Sequence, residues 1–162
     1  MKSFILKLKV LLHFFKDVEA AAYTKYVQDN NISLPCVVFD GINIIYDTKL
    51  CFGLRQISLA GSKWNGYANS VSKTIVVPSK EDLSEFPENT IDFLLGHEIG
   101  HIKLGHYKDS SVRNLESEIE ADKYAASLNG LEETKAAMEY VLANLMTTEE
   151  DVREFTIRLN SL

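Results

Sequence analysis

The chain has no excess of positive charge, no paired cysteines and no long apolar run. Lysine and arginine number 17 against 23 acidic residues, a net charge of −6, so no cationic field draws the protein to nucleic acid. Cys36 and Cys51 stand alone without a CxxC pair, which excludes a cysteine-based zinc finger. Two thiols without a secretory signal are expected to stay reduced in a cytosol. The apolar opening, residues 1–16, is interrupted by Lys7, Lys9, His13 and Lys16, and no small-residue cleavage site follows at once. It therefore reads as neither a signal peptide nor a membrane span, and membrane contact is not expected. Phe4, Ile5, Leu8, Leu11, Leu12 and Phe15 instead recur at the spacing of an amphipathic helix. Repeats and low-complexity tracts are absent as well.

What is present is ordinary globular composition. Apolar residues make up 46% and charged residues 25% of 162, enough for one domain with a real core and no disulfide staples. The expected domain spans residues 1–162, with an N-terminal helix over 1–31, a small sheet over 33–78 and a helical half over 89–162. In the first helix His13 reads as structural or exposed. Strands are expected at 35–40, 42–46, 54–59, 64–69 and 73–77. Asp40-Gly41 is a hairpin turn signal and Pro78 stops the last strand. These strands predict a small, mostly antiparallel sheet.

Residues 80–89 form an acidic, proline-marked connector. The next helix should begin at Asn89 or Thr90, either of which could cap its free N–H groups. It is apolar almost all round, through Ile91, Phe93, Leu94, Leu95, Ile99 and Ile102, the mark of a buried helix. Residues 107–114 read as a loop, and a further helix runs from about Ser111 to Asn129, ahead of Gly130. Two more follow at 132–146 and 148–160, the last opened by Thr147-Thr-Glu-Glu150 as a capping box.

Chemistry concentrates in the buried helix. His97-Glu98-Ile99-Gly100-His101 places two imidazoles four residues apart, hence on one helical face. Neutral imidazoles so placed can hold two corners of a tetrahedral zinc site. Glu98 points to the side of that site, where it could take a proton from an activated water. Such a metal needs a third protein ligand, commonly a carboxylate, and each ligating imidazole needs an acceptor for its other N–H. Glu116-Ser-Glu-Ile-Glu-Ala-Asp122 offers acids on a helix, with Glu118 and Asp122 on one face. Ala121, Tyr124, Ala125 and Ala126 give that helix a mostly small-residue surface for close packing. Gly96 and Gly100 suit close approach over the first helix.

Together the two stretches resemble the gluzincin metallopeptidases, whose pattern is HExxH on one helix and ExxxD on the next. Two branches share it: the HtpX and CAAX-prenyl-protease group, and the ImmA/IrrE-type peptidases. The resemblance covers residues 74–126. The lack of hydrophobic spans favours the soluble second type or a minimal relative of the first. It implies an α+β, zincin-like fold, with His97, His101 and Glu118 as Zn2+ ligands, Glu98 as general base and Asp122 as partner to a ligating histidine. The implied activity is a cytoplasmic zinc-dependent endopeptidase acting on a peptide or protein substrate. A zinc-containing regulatory module without proteolysis and a hydrolase of a non-peptide amide are the alternatives.

Three residues could stabilise the oxyanion: Tyr107, His106 and Tyr124. The metzincin pattern fails, because Leu104 and Tyr107 stand where it needs glycine and histidine. On a continuous helix His106 would lie about 140° from His101, and only a break at Gly105 would bring it back. Glu120, about 160° round its helix from Asp122, is expected to stand away from the site. A strand before the motif helix, 73–77 or 64–69, could pair with an extended peptide.

Overall fold

A computed structural model describes residues 36–48, 50–51, 66–70, 73–106 and 114–162. The N-terminal helix, the strand expected at 54–59 and Tyr107 lie outside these residues. The chain divides into two compact units, Met1–Asp82 and Leu83–Leu162, and the division falls inside the acidic connector. The architecture is α+β.

The first unit carries four strands, β1 (Cys36–Phe39), β2 (Ile42–Tyr46), β3 (Tyr67–Asn69) and β4 (Thr74–Val77). Asp40 and Gly41 join β1 to β2 with φ of 47° and 76°, the left-handed pair that a two-residue hairpin turn needs. The order across the sheet is β1-β2-β4-β3. β1–β2 and β3–β4 are antiparallel, whereas β2 and β4 run parallel, with Ile44 opposite Ile75. The sheet is thus mixed rather than simply antiparallel. The 27 residues between Tyr46 and Thr74 allow the crossover that a parallel pair requires.

All four residues of β4 are buried, as expected of an internal strand covered on both faces. That position removes 73–77 as a peptide-pairing edge, since β2 and β3 already occupy both its sides. Ile42, Ile44, Ile45, Leu50, Ile75, Val76 and Val77 make the core. The buried Cys51 thiol donates toward the Val76 carbonyl. After β2 the Thr48 hydroxyl meets Asp82 and accepts from the Ser79 amide, anchoring the short helix α1 (Lys80–Leu83).

In the second unit α2 spans Glu88–Lys103, α3 Leu115–Asn129, α4 Leu131–Asn144 and α5 Glu149–Leu159. α2 starts earlier than Asn89: Pro87 holds the cap position, its carbonyl accepting from Thr90 and Ile91. Proline suits a helix start because its φ is preset and it has no N–H to orphan. α3 begins at Leu115, four residues later than expected, because the Asn114 side chain accepts from Ser117 N–H at 2.8 Å. The cap of α5 is Thr148, one residue beyond the expected box, bonded to the Asp151 amide at 3.1 Å. Among the described residues no helix is long and apolar enough to cross a membrane.

Candidate metal centre

The centre depends on how closely α2 and α3 cross. A Cβ at Gly96 would lie 3.1 Å from Ala125 Cα, and one at Gly100 3.1 Å from Ala121 Cα. Rising numbers on α2 therefore meet falling numbers on α3, an antiparallel pair in backbone contact. Asn129 extends the crossing by donating to the Asp92 carbonyl at 2.8 Å. Larger residues at 96 and 100 would push the helices apart and separate the polar groups that α2 and α3 carry.

At the crossing, His97, His101 and Glu118 form a buried group able to hold a metal ion. His97 Nε2 lies 3.0 Å from His101 Nε2 and 3.3 Å from Glu118 Oε2, and His101 Nε2 lies 3.7 Å from Glu118 Oε1. Ligands about 2.0–2.1 Å from a tetrahedral zinc stand about 3.3 Å from each other. The three separations bracket that value, so the donors fit such an ion in both type and spacing. Two Nε2 lone pairs aimed at each other across 3.0 Å repel unless a proton or a cation stands between them.

The outer nitrogen of each imidazole is also occupied. His97 Nδ1 lies 2.8 Å from Asp122 Oδ1. Arg158, from α5, grips both oxygens of Asp122 at 2.7 Å and reaches Glu118 Oε2 at 3.2 Å. Asp122 is fully buried and Arg158 nearly so. A buried carboxylate needs such a fork, which matches its two oxygens in plane. Phe93 and Phe155 cover this side, with the Arg158 guanidinium 4.7 Å over the Phe155 ring.

These contacts set the charges. Burial lowers the His97 pKa, but hydrogen bonds to Asp122 and Glu118, with their negative charges, prevail and push it up to about 9. Burial raises the Asp122 pKa, yet the Arg158 and His97 hydrogen bonds and charges hold it below the ordinary value. Arg158 stays charged: burial works against it, but Asp122 and Glu118 overcome that cost.

The remaining candidates fall in different places. Glu98 is buried beside His97 on α2. Tyr124 is half-buried, its Cβ packed where α3 crosses Gly100. His106 does return toward His101, because α2 ends in a Schellman motif. Gly105 takes φ 73°, its N–H donates to Ile102, and His106 N–H donates to the His101 carbonyl. The His106 ring then stands behind His101, Nδ1 to Nδ1 at 2.9 Å, with its Nε2 3.0 Å from Glu120 Oε2. Both ring nitrogens are engaged there, and Glu120 is joined to the centre after all.

Arg158 escaped the sequence reading. Its one local signal is a cation three residues after Phe155, on the face that buries that ring. No protein-family model, curated protein or solved structure matches the chain.

Proposed function

We propose that the protein is a zinc-dependent peptidase of zincin-like fold. The observation that carries this reading is the convergence of His97 Nε2, His101 Nε2 and a Glu118 carboxylate oxygen at the spacing of tetrahedral ligands. The donor set supports it as well, since two imidazoles and one carboxylate are a usual zinc ligand set that leaves a fourth position for water.

Zinc bound by these residues would lower the pKa of a water to about 7 and polarise a carbonyl. Glu98 accepts the proton of the attacking water and returns it to the leaving amine nitrogen. Asp122 fixes the His97 ring so that its Nε2 lone pair faces inward, and Arg158 holds Asp122 in turn. Phe93 and Phe155 keep water from the His97–Asp122 contact, which strengthens it.

The test combines metal analysis with a peptide-library cleavage assay. Purified protein is expected to carry close to one zinc per chain, and Glu118→Gln to retain little. Glu98→Gln is expected to keep zinc and fold but lose hydrolysis. Full zinc retention by Glu118→Gln refutes the ligand assignment, and undiminished cleavage by Glu98→Gln refutes the general base.

A further inference from the structure

Each of the two imidazoles has an outer partner, but the partners differ. His97 meets a carboxylate directly, whereas His101 meets another imidazole, His106, which meets the carboxylate of Glu120. We infer that His106 and Glu120 are positioning residues that hold His101 in the tautomer its Nε2 needs to bind a metal. The inference rests on the metal-site reading above.

A single proton lies between the two Nδ1 atoms, 2.9 Å apart. If His106 owns it, His101 Nδ1 accepts and its own proton sits on Nε2, facing His97 and Glu118 with no lone pair to offer. If His101 owns it, Nε2 presents its lone pair to the group. His106 then accepts at Nδ1 and carries its proton on Nε2. That is where Glu120 Oε2 stands, 3.0 Å away. An ionised carboxylate can only accept, so Glu120 selects the second arrangement. The acceptor at the outer end thus sets the direction of every hydrogen bond inward to His101.

The backbone is built to allow this. The Schellman turn at Gly105 folds His106 back over the last turn of α2 instead of carrying it round the helix. The His106 side chain is 8% exposed and Glu120's 55%, so the relay runs from the buried centre to solvent. Water can replace Glu120 in part, but it competes poorly for the His106 position.

Zinc competition against a chelator, with heteronuclear NMR of the ring nitrogens of the zinc-loaded protein, tests the inference. His106→Ala is expected to weaken zinc about 10- to 100-fold, the usual effect of removing an outer partner. His106→Asn is expected to restore most of that affinity, because its Oδ1 can accept where Nδ1 did. Glu120→Ala is expected to lose less than His106→Ala. In wild type, His106 should carry its proton on Nε2 and accept at Nδ1, and His101 should carry its proton on Nδ1. A His106 proton on Nδ1 overturns the inference, as does equal affinity of wild type and His106→Ala. So does an Asn variant as weak as the Ala variant, which would mark a packing role. Wild-type protein that binds no zinc overturns the metal-site reading itself, a separate outcome from these.

Discussion

Replacing Arg158 with methionine removes a guanidinium that faces two buried carboxylates, Asp122 and Glu118. Methionine fills comparable space without charge, so the lost interaction rather than a cavity dominates. Breaking a buried pair by removing one partner costs about 3–5 kcal/mol. Set against a total of about 5–15 kcal/mol for a domain, that is about a fifth or more of the stability. With a urea slope of about 2 kcal/mol per molar, the unfolding midpoint of the metal-free protein should fall by about 2 M. Asp122→Asn removes the charge that Arg158 answers while keeping an oxygen for His97. Arg158→Met/Asp122→Asn should therefore be more stable than the sum of the single losses by about 1–3 kcal/mol. Acid sensitivity should change too. The depressed Asp122 pKa contributes stability above the unfolded value of about 3.9 and loses it as pH falls through the folded value. Arg158→Met should flatten that loss. A midpoint shift below about 0.5 M, or strict additivity in the double variant, would refute the reasoning.

Three other outcomes follow from the same geometry. In metal-free protein the His97 pKa of about 9 exceeds the unfolded value of about 6.5, so its stabilisation is complete below 6.5 and vanishes as pH rises through 9. Zinc must displace that proton, so chelator-corrected affinity should rise about tenfold per pH unit from 7 and level off near 9; a flat profile contradicts the assignment. Gly100→Ala would place a Cβ 3.1 Å from the Ala121 backbone. The overpacking, about 1–3 kcal/mol, should exceed the helix-propensity gain of about 1 kcal/mol, and thermal unfolding of a stabilised variant would show the crossing to be looser than described. Thr134 has a buried hydroxyl without a hydrogen-bond partner among the described residues, so Thr134→Val should stabilise by about 1 kcal/mol, and a comparable loss in calorimetry would reveal a partner.

The sequence by itself determined what is local. Two histidines four apart must share a helical face, Glu118 and Asp122 likewise, and small residues at 96, 100, 121 and 125 mark surfaces that can touch. Asp40-Gly41 specified its hairpin in the same way, because two left-handed residues suit few other structures. Helix starts were less legible: Pro87, Asn114 and Thr148 each compete with nearby residues that could cap as well, and packing chooses among them. Only tertiary structure decided the rest. The parallel pairing of β2 with β4 depends on a crossover path that strand patterns do not encode. His106 reached His101 because a glycine turn reversed the chain, which the helical angle alone argues against. Glu120 lies on the far side of its own helix from Asp122, yet α2 brings His106 to meet it. Arg158 stands 36 residues from Asp122, and no spacing rule connects them. What connects them is the cost of burying a carboxylate, which obliges the fold to bring a cation from wherever the chain can supply one.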